Sequence, residues 1–191
     1  AKGMEDFKAL PIGAYECKIV NAVENHNEQS GKTTLKVMVD IASGEYKDYF
    51  KKRYDSNTAI DRKWDNNATK YLAFEGENTS FFKGFITIVE NSNVGYKWNW
   101  DETTLRDKKI VGVFQYEQYE KQDGTKGIKV RLNKFRSLDK LKEIEVSDSI
   151  KMLDGSYVSY DDYMERAENS SNEPFSDFGN IVEISEEQLP F

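Results

Sequence analysis

Tyr46-Lys47-Asp48-Tyr49-Phe50-Lys51-Lys52-Arg53-Tyr54-Asp55 interleaves aromatic and basic residues. Read with a period of two, it places Lys47, Tyr49, Lys51 and Arg53 on one face. Tyr46, Phe50 and Tyr54 fall on the other, with Lys52. That alternation is the mark of a half-buried strand. Two further strands precede it. In residues 14–23, Tyr15, Cys17, Ile19 and Val23 share one parity, with Glu16 and Lys18 on the other. After a polar turn at 25–32, Leu35, Val37, Val39 and Ile41 alternate with Lys36, Met38 and Asp40. Ser43-Gly44-Glu45 then turns the chain into the quoted segment, so the start reads as a three-stranded meander.

Beyond residue 57 the period changes. Ile60, Trp64, Ala68, Tyr71 and Leu72 fall at helical spacing, although Asp65-Asn66-Asn67 suits a turn equally well. Phe81, Phe82, Phe85, Ile86 and Val89 form a second helical stripe, with Asn78 or Thr79 placed to cap it. Residues 95–101 are an aromatic loop containing Tyr96-Lys97-Trp98-Asn99-Trp100. A strand over 109–120, a turn-rich loop over 121–127 and a return strand over 128–136 make a hairpin. In the return strand Val130 and Leu132 face in, and Lys129 and Arg131 face out. Residues 139–153 read as a short helix or a final strand. The order predicts a mainly β fold with a helical insert, an OB-fold-like five-stranded barrel. A β-sandwich or another α+β layout fits the same strands. The expected domain spans 1–153, followed by an acidic, flexible tail over 154–191.

The charge distribution supports that division. The 191 residues carry a net charge of −7. Residues 154–191 hold ten acids against one base, a net of −9. The remainder holds 26 bases against 24 acids, a net of +2, so the acidity belongs to the tail. Cys17 and His26 are the sole cysteine and histidine, which excludes an internal disulfide and a zinc site built from these residue types. The first residues carry no apolar signal core, and no apolar run reaches the length of a membrane span. These features point to a soluble protein of a reducing compartment.

Enzyme chemistry has little to stand on. His26 lies in a polar turn, Gly31-Lys32-Thr33 lacks the upstream glycine of a phosphate-binding loop, and Asp61 and Asp65 read as a solvated pair. The expectation is a non-enzymatic chain without metal or cofactor. Binding of a single nucleic-acid strand needs cations for phosphates and exposed rings for unpaired bases. Lys47, Tyr49, Lys51 and Arg53 supply both on one strand face. Lys129 and Arg131 supply cations on another, with Lys134 and Arg136 following, and Trp98 and Trp100 lie in a loop beside Lys97. The plainer alternatives are a solvated strand edge for the first group and a barrel plug for the tryptophans.

The tail ends in Ile184-Ser185-Glu186-Glu187-Gln188-Leu189-Pro190-Phe191. An acidic segment closing on an aromatic residue with a free carboxylate suits capture by a basic, apolar pocket. Glu186, Glu187, Leu189, Pro190 and Phe191 are the expected partner-docking residues. This ending resembles that of bacterial single-stranded DNA-binding proteins, departing from it in Leu189 and Gln188. Gly13-Ala14-Tyr15-Glu16-Cys17-Lys18-Ile19, Ser30-Gly31-Lys32 before Leu35-Lys36-Val37, a turn at Gly44 and the aromatic-basic segment after it are similar to a family of small phage proteins from Gram-positive hosts. The resemblance covers residues 13–136. It implies a single-stranded DNA-binding protein of phage replication and recombination in the cytoplasm of a bacterial host cell, one that recruits replication or recombination proteins through its C-terminus; the number of subunits, monomer or homo-oligomer, is left open. The competing expectation is a protein–protein adaptor with its aromatics internal.

Overall fold

The computed structural model describes residues 8–73 and 79–171. Its elements are β1 (Gly13–His26), β2 (Thr33–Ile41), α1 (Tyr49–Ser56), β3 (Thr69–Ala73), α2 (Ser80–Ser92), β4 (Lys109–Glu120), β5 (Lys126–Arg136), β6 (Ile150–Lys151), β7 (Tyr157–Val158) and α3 (Tyr160–Ser171). The fold is mainly β. The strands hydrogen-bond in the order β3-β2-β1-β4-β6-β7, and β5 pairs with β4 off that path. The outer strands β3 and β7 do not pair with each other, so the sheet is open where a closed five-stranded barrel was expected.

The chain packs as two compact units. The first contains residues 14–113 and 132–145. Here β1 and β2 pair antiparallel, and Leu35, Val37, Val39 and Ile41 of β2 are buried as their alternation requires. In β1 the buried residues are Cys17, Ile19 and then Ala22, not Val23. The register steps from Ile19 opposite Val39 to Asn21 opposite Met38, so Val20 is an extra residue in a bulge that reverses the parity. Helix α2 lays Phe82, Phe85, Ile86 and Val89 into the core, and the Phe85 ring lies 5.0 Å from that of Phe135 in β5.

Residues 46–55, expected as a strand, form a turn and the start of helix α1. Its N-terminal amides are met by Asp40, fully buried on β2. Asp40 Oδ1 accepts from Phe50 N and Ile41 N, each at 2.9 Å, and Oδ2 accepts from Lys51 N at 3.2 Å. Asp48, at φ 61°, makes no side-chain cap of its own. The cap is thus supplied from ten residues upstream, and the helix buries Tyr49, Phe50 and Arg53 on one face. The third strand of the meander is β3, which pairs with β2 through Leu35–Leu72 and Lys36–Tyr71 in the segment expected to be helical. A short 3-10 turn at Asn66–Ala68, begun by Asp65 accepting from Asn67 N, delivers it.

The second unit contains Phe114–Arg131 and the described chain from Val146. β6 joins β4 in parallel at Lys151–Glu117, and β7 returns antiparallel to β6. Helix α3 places Tyr163 and Ala167, one turn apart, against Ile128 and Ile150. Tyr160 stacks on Tyr116 with ring centroids 5.5 Å apart. The boundary expected at residue 154 therefore falls ahead of a strand and a helix with buried residues. Among the described residues no helix is long and apolar enough to cross a membrane.

Candidate nucleic-acid interface

The loop between α2 and β4 is held at both ends by one side chain. Asn93 Nδ2 donates to Val89 O and to Lys109 O, each at 2.8 Å, while its Oδ1 accepts from Lys109 N at 2.9 Å. Within the loop, Tyr96 and Thr104 hydroxyls meet at 3.0 Å, and the Thr104 hydroxyl donates to Asp101 O at 2.7 Å. Asn99 Oδ1 accepts from Asp101 N, and Asp101 Oδ1 accepts from Thr103 N and Oγ1. These bonds fix the backbone on either side of Trp100.

Trp100 sits at φ 66° and is 76% exposed. A bulky residue in the left-handed region is strained, and a non-glycine there points to a constraint beyond packing. Its ring lies 6.0 Å from Trp98 and 6.4 Å from Phe82, and Trp98 meets Phe82 edge-on at 5.9 Å. Trp98 is half-buried, with its amide donating to Glu90 Oε2 at 3.3 Å. Its indole N–H is buried without a hydrogen-bond partner among the described residues. The three rings form a surface platform in which Phe82 and Trp98 are the base and Trp100 the exposed top. Lys97 extends beside it, 87% exposed, with its ammonium 3.9 Å from Glu90 Oε2.

The other expected residues are divided between the two units, and two of them are turned inward. Lys47 is exposed in the turn before α1. Lys51 is exposed on α1 and bonds Asp55 at 2.6 Å, which raises its pKa. Tyr49 and Arg53 are turned inward. Arg53 is 2% exposed, its Nη1 donates to Tyr49 Oη at 2.8 Å, and its guanidinium lies 5.3 Å from the Tyr49 ring centre. The helical turn brings residues four apart onto one side and separates both from Lys51, so neither Tyr49 nor Arg53 is available at the surface. In the second unit, Lys129 and Arg131 do lie on the half-exposed side of β5. Arg131 Nη1 is 3.4 Å from Glu117 Oε1, and the Lys129 ammonium is 5.3 Å from the centre of the Tyr119 ring. Glu186, Glu187, Leu189, Pro190 and Phe191 lie outside the described residues.

Further aromatic–cation contacts were not anticipated, among them the Lys108 ammonium 5.1 Å from the centre of the Tyr96 ring. Arg62 covers the Tyr54 ring at 4.3 Å, and Lys36 lies 5.9 Å from the Tyr71 ring across the β2–β3 pair. Tyr54 in turn meets Trp64 at 5.7 Å, and Trp64 Nε1 donates to Val39 O. Trp64 therefore belongs to the wall of the fold, unlike Trp100. Among the described residues no group of three or more His, Cys, Asp or Glu converges to hold a metal ion.

Residues 1–79 match a family described as Protein of unknown function (DUF669). The match spans β1, β2, α1 and β3 and stops short of the tryptophan loop and the hairpin. No curated protein matches the chain.

Proposed function

We propose that this chain binds single-stranded DNA without chemical turnover, stacking bases on Trp100 over the Trp98–Phe82 base. The observation that carries the reading is Trp100 itself, a large ring left 76% exposed while its backbone is held at φ 66°. A solvent-facing residue with no role would relax to glycine or asparagine at such a position. Unpaired bases gain from an exposed ring in proportion to stacking area, whatever their identity. Lys97 beside the platform, and Lys129 with Arg131 on the hairpin, are the phosphate contacts in this reading. Lys47 and Lys51 add positive charge on the first unit. Tyr49 and Arg53 have no part in the interface.

The biological setting follows from the sequence resemblances: a phage protein in the bacterial cytoplasm that coats strands exposed in replication or recombination. Residues 184–191 then recruit a replication or recombination partner. Phosphate contacts release counterions, so binding weakens steeply with salt. The test is tryptophan fluorescence titrated with oligo-dT at low salt. Quenching that saturates, and that disappears in the Trp100→Gly variant with Trp98 and Trp64 intact, supports the reading. No binding of oligo-dT by fluorescence or by gel shift contradicts it, and retained capture of a partner in that case favours the adaptor.

A further inference from the structure

The strands β1, β2 and β3 have a second side. Ala22 opposite Val37, and Leu35 opposite Leu72, are buried on the inner side. The residues that alternate with them point outward. Val23, Lys36 and Tyr71 stand opposite one another in one row across the three strands, and Asn21 stands opposite Met38 in the next. Two residues along a strand separate the rows by about 7 Å. Tyr71 is 43% exposed, and the other four are half-exposed. The bulge at Val20 sets this arrangement. Without its extra residue, Asn21 and Val23 would share the inward parity of Cys17 and Ile19.

Asn21 holds a cation on this side. Its Oδ1 accepts from Arg106 Nη2 at 3.0 Å. Arg106 follows the tryptophan loop, and the chain next to it is tied to β1. Asp107 N donates to Ile19 O and Ile19 N donates to Lys108 O, each at 2.8 Å. Arg106 is exposed, and among the described residues no carboxylate forms an ion pair with it or with Lys36. The Lys36 ammonium lies 5.9 Å from the Tyr71 ring centre, at the outer limit of a cation–π contact. None of the five outward positions is acidic, although the chain has 34 acids to 27 bases. Asp40, two residues beyond Met38, is buried against the amides of α1. This side therefore presents one exposed ring and two cations whose charge no acid cancels.

We infer that this side of β1, β2 and β3 is a second contact for the single strand, with Tyr71 stacking a base and Lys36 and Arg106 holding phosphates. The inference rests on the reading that the chain binds single-stranded DNA. Charge complementarity selects the occupant: a single strand brings negative charge at every residue together with unpaired base faces. Lys36 turns its ammonium to phosphate and gives up only a weak contact with the ring. Asn21 is a positioning residue. Its amide oxygen fixes the Arg106 guanidinium without neutralising it, as a carboxylate would.

Full-length Tyr71→Ala, Tyr71→Phe, Lys36→Gln and Arg106→Gln are compared with wild type by fluorescence anisotropy with labelled oligo-dT over a salt series. Their unfolding midpoints in urea are measured alongside. Tyr71→Ala is expected to lose about tenfold in affinity with the salt dependence unchanged, and Tyr71→Phe to stay within about twofold of wild type. Lys36→Gln and Arg106→Gln are each expected to reduce the slope of log affinity against log salt by about 0.7, the share of one phosphate contact on a single strand. A purely structural role would not move that slope, and Arg106→Lys should restore it. If Tyr71→Ala does not fold, the two Gln variants decide. If wild type binds while the Gln variants keep its slope, or a folded Tyr71→Ala binds equally well, this inference is overturned and the Trp100 platform stands. Variants that bind oligo-dT as before but lose capture of a protein partner overturn it too, and assign this side to a protein. If wild type binds no oligonucleotide at all, the underlying reading falls, and this inference with it.

Discussion

Replacing Trp100 by glycine separates the two explanations of that residue. The ring is 76% exposed, so about a quarter of its surface is buried. For a tryptophan of about 250 Å² that is roughly 60 Å², which at about 25 cal/mol per Å² is worth about 1.5 kcal/mol. Against this, the backbone at φ 66° is relieved by glycine, a gain of about 1 kcal/mol. Trp100→Gly should thus cost less than about 1 kcal/mol in stability, and Trp100→Ala, which keeps the strain, about 1 kcal/mol more. If Trp100 stacks a base, the same change removes about 1–3 kcal/mol of binding, a loss of roughly 5- to 150-fold. Urea denaturation supplies the first number and anisotropy with oligo-dT at low salt the second. A loss of stability above about 3 kcal/mol would place the ring in the core and rule out a surface stacking role. So would a Gly variant that binds as well as wild type.

Three further outcomes follow from the same structure. Asp40→Ala removes the acceptor for three backbone N–H groups, two of them at the start of α1, and should cost about 2–4 kcal/mol in urea denaturation; a change near zero would mean α1 caps itself. Hydrogen bonds from Lys109 and from Ser43 lower the Glu16 pKa, so the stability it adds is present above the ordinary carboxylate range and is lost as pH falls through the depressed value. Glu16 lies at the surface, so the effect stays below about 1 kcal/mol, and Glu16→Gln should narrow the gap in unfolding midpoint between neutral and strongly acid buffer; an unaltered gap would remove Glu16 from the account. Deleting residues 184–191 should leave oligo-dT affinity equal or higher while abolishing partner capture, and a loss of DNA binding would make the segment part of the interface.

What could be read from the sequence depended on how local its causes are. β2 was legible because Leu35, Val37, Val39 and Ile41 alternate without interruption and all four are buried. β1 was legible as a strand, but its inward parity beyond Ile19 was not, because the bulge at Val20 leaves no mark in the hydrophobic pattern. Helix α1 was misread for a different reason. Over eight residues, Tyr49, Lys51 and Arg53 satisfy a period of two, and Tyr49, Phe50 and Arg53 satisfy a helical face. The choice is made by Asp40, ten residues away, which no local window includes. β3 failed in the opposite sense: Ala68, Tyr71 and Leu72 mimic a helical stripe, but Ala68 ends a 3-10 turn and pairing with Leu35 and Lys36 holds Leu72 and Tyr71 extended. Helix α3 buries two residues, Tyr163 and Ala167, beneath an acidic surface, too little apolar matter to stand out.

The tryptophan loop was the most legible part of the candidate site. Its rings fit neither strand nor helix period, which is why they drew attention, and the structure leaves Trp100 exposed. Its left-handed backbone was not foreseeable from composition.

The central claim is that this chain takes up unpaired strands through exposed rings and phosphate contacts. A gel shift with single-stranded and double-stranded oligonucleotides of equal length, repeated over a salt series, addresses it directly. Single-stranded DNA binding gives retardation of the single strand in preference to the duplex, weakening as salt rises. Equal or stronger binding of the duplex, or no retardation of either at low salt, would contradict it.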